Sequence, residues 1–215
     1  MNQQQFLIIA IATLLFGGCK NPGRNYFTGT IEYRYSYTSD SLDADSIAAI
    51  RPAKGIFRYD SSAYQSQFLN KDTTTYYYSG SRNSCLSVMS RNGEYTCEDY
   101  SQATDSILSW KIYDTEEKIL GYSCKILEMQ KSGSRVKYYV STDLHIAPAT
   151  YQNHRSYNWD VYGEKANGGL ILQSEHRFKA FTMKGIATGL EIRGHGFKAL
   201  EINENLFSKH CTPYQ

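Results

Sequence analysis

The 215-residue sequence lacks the short motifs that usually mark a catalytic or metal centre. It contains no G-x-S-x-G nucleophile elbow, no P-loop, no G-x-G-x-x-G, no HExxH helix and no CxxC pair, so acyl transfer, nucleotide binding and zinc chemistry find no support. The five histidines, His145, His154, His176, His195 and His210, stand singly. Gly194-His195-Gly196 reads as an exposed turn, and Asp143 with Asp160 is the kind of carboxylate pair any β-protein of this length offers. Nor is there an excess of one charge. Twenty-three basic against twenty-one acidic residues leave +2, too little to recommend a nucleic-acid partner. An apolar run long enough to span a bilayer is missing as well: the longest, FLIIAIATLLF from Phe6 to Phe16, has eleven residues. The expectation is a non-enzymatic chain with no cofactor and no metal.

That short run is placed to be the core of a signal peptide. The residues after it, Leu15-Phe16-Gly17-Gly18 before Cys19, resemble the lipobox at which bacterial lipoproteins are cleaved. Small residues at Gly17 and Gly18 let a peptidase approach the backbone, and the Cys19 thiol is the nucleophile that accepts diacylglycerol. The resemblance implies a signal peptide over 1–18, a tether over 19–26 acylated at Cys19 with chains such as palmitate, and one domain over 27–215. Two or three acyl chains hold a protein to a membrane durably where one does not. Lys20-Asn21-Pro22-Gly23 carries no Asp of the kind that favours inner-membrane retention, which points to a Gram-negative outer membrane, facing the periplasm.

In that oxidising compartment the remaining cysteines, Cys85, Cys97, Cys124 and Cys211, are disulfide candidates. The short loop between them favours Cys85 with Cys97, which leaves Cys124 with Cys211. A two-residue turn at Asn92-Gly93 would instead set Cys97 opposite Val88 and Cys85 on the other face, so this pairing needs a longer loop or a bulge.

Most of the chain reads as strand. In Gly29–Asp40, Ile31, Tyr33, Tyr35 and Tyr37 alternate with Thr30, Glu32, Arg34 and Ser36, the period of a sheet wet on one side. Ser39 or Ser41 can cap a helix through Leu42, Ile47, Ala48 and Ile50, ended by Pro52. β-Branched and aromatic runs follow at 56–59, 64–69, 73–78, 86–89, 94–97, 118–129, 136–141, 157–162, 170–173, 177–183 and 190–192, with another helical turn expected near 101–110. Helices and strands do not alternate, so the fold class expected is mainly β, a curved antiparallel sheet of nine to eleven strands with one or two short helices. Nineteen tyrosines suit strand surfaces, a groove mouth or a protein interface.

Three strings, EEKILGYSCKIL (116–127), VKYYVSTDLHIAP (136–148) and GGLILQSE (168–175), resemble successive landmarks of GLPGLI-type envelope proteins, thought to share the half-barrel of the LolA-like lipoprotein-carrier superfamily. Ala166-Asn167-Gly168 stands where the signature has Gly-Leu-Pro. The resemblance implies no catalytic residues. It does imply a sheet coiled around short helices, with an apolar concavity that in the carriers holds acyl chains; candidate lining residues are Ile31, Tyr33, Tyr35, Tyr37, Phe57 and Tyr59. Two functions follow as expectations. One is a membrane-anchored lipoprotein binding a lipid or other hydrophobic envelope component. The other is a structural or assembly lipoprotein that binds a protein partner and holds no small ligand.

Overall fold

The computed structural model describes residues 26–194, 196–200 and 204–211. Cys19, the 1–18 segment and His195 lie outside them. Eleven strands form one antiparallel sheet: β1 (Gly29–Thr38), β2 (Lys54–Tyr59), β3 (Ala63–Leu69), β4 (Thr73–Ser79), β5 (Ser84–Met89), β6 (Tyr95–Asp99), β7 (Ile107–Ile119), β8 (Tyr122–Lys131), β9 (Arg135–His145), β10 (Gly169–Arg177) and β11 (Thr182–Ile192). Their spatial order is β6-β5-β4-β3-β2-β1-β11-β10-β9-β8-β7. Every pair of strands consecutive in the chain lies side by side except β6 and β7, which form the two opposite edges, and β1 pairs with both β2 and β11, so that it joins the two halves. The first strand is therefore the middle one.

Among the described residues there are four short α-helices: α1 (Ala44–Ile50), α2 (Pro148–Tyr151), α3 (Trp159–Lys165) and α4 (Glu204–His210), with a 3-10 turn over Ser156–Asn158. Among the described residues no helix is long and apolar enough to cross a membrane. The 157–162 segment, expected as a strand, belongs to that turn and α3, because Tyr157 and Asn158 both take left-handed backbone angles and break the extended run. The helical turn expected near 101–110 is a bend leading into β7. One long strand over 118–129 is instead a hairpin: Leu120 and Gly121 both have positive φ, 51° and 86°, the geometry of the tight turns that match strand twist. Similarly, 177–183 is cut by the β10–β11 turn, closed by the Phe178 amide donating to the Phe181 carbonyl.

Asp43, rather than Ser39 or Ser41, caps α1, its carboxylate accepting from the Ser46 amide at 3.0 Å. This helix buries only Ile47, and Leu42 and Ile50 are exposed, so it does not roof the sheet. The roof is α2 and α3, between β9 and β10. Trp159 stacks on Tyr64 of β3 at 5.2 Å, and Tyr162 meets Tyr138 of β9 edge-on at 5.7 Å, with Trp159 and Tyr162 themselves 5.7 Å apart. Strands β3 and β9 are five steps apart in the sheet, about 24 Å if it were flat. Side chains stand roughly perpendicular to a sheet, so one small helix touches both strands only because the sheet curls around it. The result is the open half-barrel that the family resemblance implies.

Candidate functional site

The candidate groove residues do fall on one face, the concave one. Register places Tyr33 and Tyr35 beside Ala187 and Gly185 of β11, and Ile31 and Gly29 beside Phe57 and Tyr59 of β2. What they line is a packed core. Ile31, Tyr33, Tyr37 and Tyr59 are buried, and Tyr33, Phe57, Phe68 and Tyr76 interlock by successive edge-to-face contacts of 5.3, 5.5 and 5.8 Å. Only the far end, beyond the reach of α2 and α3, stays half-open, where Tyr35, Phe57, Phe68 and Tyr76 form an aromatic shelf. Two glycines shape it. A Cβ at Gly185 would sit 2.6 Å from the Tyr35 ring, and one at Gly55 2.8 Å from its hydroxyl, so the absence of side chains on both neighbouring strands lets that ring lie across β1.

Ten of the nineteen tyrosines are buried, which makes Tyr chiefly a core residue in this protein and only secondarily a surface one. Their hydroxyls explain how a core tolerates them. Tyr33 donates to the Ile171 carbonyl at 2.6 Å, Tyr37 to the Pro52 carbonyl at 2.7 Å, and Tyr162 to the Gly169 carbonyl. Each hydroxyl ties a ring to backbone on another element, as buried polar groups require. Burial pushes the Tyr33, Tyr59, Tyr64 and Tyr162 phenols above their usual range, with further upward pressure from neighbouring tyrosines, so they stay neutral and do not work as acids.

Beneath the roof lies a second aromatic cluster. His154 is fully buried within 6.4 Å of the Tyr64, Tyr78, Tyr100, Tyr151 and Trp159 rings. Tyr64 Oη and His154 Nε2 are 3.1 Å apart, and Tyr78 donates to Asn83 Oδ1 and the Thr150 carbonyl, both at 3.1 Å. Burial lowers the His154 pKa to about 3, against backbone hydrogen bonds that favour the cation, so the imidazole is neutral throughout the physiological range. This aromatic box is a structural hub, which the isolated histidines of the sequence did not foreshadow. The signal that could have found it is the local density of aromatics around His154: Tyr151, Tyr157, Trp159 and Tyr162.

The disulfide expectation needs correction. Cys97 is bonded to Cys211, while Cys85 and Cys124 are free and buried. The β5–β6 register sets Cys97 opposite Leu86, which puts Cys85 on the other, concave face, where no turn length short of a register slip could bring the two sulfurs together. On the convex face Cys97 instead meets the end of α4. Burial raises the Cys85 thiol to about 12, with Tyr100 bonding weakly opposing, and that keeps it unreactive. Among the described residues no group of three or more His, Cys, Asp or Glu side chains could hold a metal ion. Asp143 stands at the exposed end of β9 and Asp160 in the first turn of α3.

The surface offers one more feature, the free edge of β7. Among the described residues this strand pairs only with β8, and it is exposed along nearly all thirteen residues, including the large apolar side chains Leu108, Trp110, Ile112 and Tyr113. Trp110 and Ile112 face the concave side, opposite Met129 and Leu127.

No protein-family model matches the chain, and no curated protein matches it. Among solved structures, PNGF-II aligns over 80% of this chain at 14% identity and a TM-score of 0.42, and the chain spans only 29% of that protein. The lipoprotein LppX of Mycobacterium tuberculosis aligns over 78% of this chain and 89% of its own at 7% identity and a TM-score of 0.34. An outer-membrane lipoprotein-sorting protein domain from Vibrio parahaemolyticus aligns over 83% and 91% at 6% identity and a TM-score of 0.35. At these values the likenesses carry nothing about what this chain binds.

Proposed function

We propose that the chain is a bacterial envelope lipoprotein, tethered by acylated Cys19 to the outer membrane on its periplasmic side, that acts without catalysis by binding a protein partner at the open β7 edge. The observation that carries this reading is the pairing of a filled concavity with an unpaired thirteen-residue edge strand. A strand edge offers a row of backbone donors and acceptors, and an extended segment of another protein can add to it while alternate side chains give specificity. Leu108, Trp110 and Ile112 supply apolar surface for that contact. A photocrosslinking residue placed at Leu108 in cells should capture one discrete protein band, whereas the same residue at Lys71, in the β3–β4 turn, should not. Equal or absent crosslinking at both positions rules the edge out.

A second reading, binding of a lipid or other hydrophobic component, is favoured by the half-open aromatic shelf of Tyr35, Phe57, Phe68 and Tyr76, a surface that would bury about 0.8 kcal/mol per methylene of an acyl chain. Native mass spectrometry of the purified protein separates the two: a co-purified lipid that Tyr76→Ala abolishes establishes the second reading.

A further inference from the structure

The convex face of β8–β11 carries an arrangement that neither reading uses. Strand register places Arg135 of β9 directly opposite Arg177 of β10. Like charges facing across an antiparallel pair are destabilising unless something offsets them. Arg135 is partly offset, since its guanidinium bonds a Glu128 Oε, but that carboxylate also accepts from Tyr113 at 3.2 Å and pairs with Lys111 at 3.6 Å. The next carboxylate, Glu175, lies opposite Lys137 on one side and Lys184 on the other. Arg177 makes no ion pair among the described residues. Both arginines border two adjoining polar surface depressions, open to solvent: Glu128, Lys137 and Glu175 complete the first, and the β8–β9 turn at Ser132-Gly133-Ser134 with Phe178 and Lys179 lines the second.

Charge is concentrated here. Among the described residues, Lys111, Arg135, Lys137, Arg177, Lys179 and Lys184 are gathered by strand register and turn around the two carboxylates Glu128 and Glu175, six positive charges against two negative. Two guanidinium forks with hydroxyls and a glycine turn beside them suit a tetrahedral oxyanion, which accepts paired N–H donors from several directions.

We propose that Arg135 and Arg177 form a binding site for a phosphate group at the β8–β9 hairpin end of the convex face. The anion sits between the two arginines, Lys179 adds charge, and the ligand removes the repulsion that the register builds in. A phosphate of this kind is available from an anionic phospholipid head group or from a free phosphate ester, and the two differ in being a diester and a monoester.

The test uses the full-length protein in a non-ionic detergent at low ionic strength, titrated calorimetrically with inorganic phosphate and with glycerophosphoglycerol, the soluble head group of an anionic phospholipid, with acetate at matched ionic strength as control. Saturable binding of either phosphate compound, with acetate at least tenfold weaker, is expected; preference for the diester assigns a lipid head group, and preference for inorganic phosphate assigns a free ligand. Arg135→Ala also removes one of the three partners of Glu128, so Arg177→Ala carries the comparison. It should weaken phosphate binding by about tenfold or more, with only part recovered by Arg177→Lys, because the ammonium cannot bind bidentately. In the absence of ligand, Arg177→Ala should melt at the same temperature as the parent or higher. Acetate binding equal to phosphate, unchanged binding by Arg177→Ala, or a lower melting temperature for the ligand-free variant would each overturn the site.

Discussion

The two edges of the sheet are finished in opposite ways. At one end β6 is five residues long, and its Cys97 is bonded to Cys211, just beyond α4. His210 stacks on Tyr95 at 4.9 Å, and Phe207, fully buried, fills the convex side under Arg82. At the other end β7 is thirteen residues long and has no cover on its outer side among the described residues. Its protection is local: register shifts between Asp114 and Lys118, around Thr115-Glu116-Glu117, where a bulge and charges discourage pairing. That leaves the Leu108–Tyr113 half as an accessible pairing surface. This fold anchors one edge strand covalently to the residue after α4 and leaves the other edge strand without such a tie among the described residues, a difference legible only once the strand order is known.

Breaking the closed edge should have the largest effect. Cys97→Ser removes a link between residues 114 apart in sequence, and the chain-entropy argument puts the loss of stability at about 4 kcal/mol. Thermal unfolding under non-reducing conditions should show it, while Cys124→Ser should leave the disulfide intact and shift the transition far less. A change for Cys97→Ser no larger than for Cys124→Ser would mean that α4 holds the edge unaided.

Acid sharpens the comparison from inside. His154, beneath the β3–β5 half, has its folded pKa lowered from the ordinary value near 6.5 to about 3 by burial, and His176, in the β7 half, to about 4 by burial and the nearby Lys131. For both, the unfolded chain takes up the proton first. Their contribution is therefore fully present above pH 6.5 and is lost as pH falls from about 6.5 towards 3 or 4. Stability measured by denaturant titration should fall by a few kcal/mol over that window. His154→Gln should flatten the slope, even though the substitution itself costs stability at neutral pH; an unchanged slope would show that the imidazole reaches solvent.

The smallest effect belongs to the open edge. Trp110 is 46% exposed and has Lys165 Nζ 4.8 Å from its ring centre, so Trp110→Ala should change stability by less than about 1 kcal/mol. The same variant should reduce partner capture at β7. A loss of several kcal/mol would instead make Trp110 part of the core, and the contrast between the edges would shrink accordingly.

Much of the architecture could be read from residue order. The alternation Ile31, Tyr33, Tyr35, Tyr37 marks a strand with one buried face, and that is how β1 sits. Turn chemistry was less legible. Asn92-Gly93 announces a hairpin, with Gly93 at positive φ, but Leu120 also adopts a left-handed angle at 51°, which no propensity for leucine suggests; the β7–β8 ladder imposes it. In α3 seven residues carry too little periodicity to outweigh the aromatic strand composition of 157–162, and α4 is too short to announce itself; both form where the sheet supplies a surface to bury Tyr162 or Phe207. For the candidate groove residues the alternation says which side chains share a face and not whether other side chains fill the space before it.

What the sequence determined alone is therefore the class of structure, a hairpin-rich antiparallel sheet with one apolar face, because a period of two needs no partner to be recognised. Tertiary structure alone decided three things: which cysteines meet, that tyrosines fill the hollow, and that Arg135 faces Arg177. Each depends on register and on which strand lies beside which. Those are set by packing between residues far apart along the chain, where local pattern carries no information.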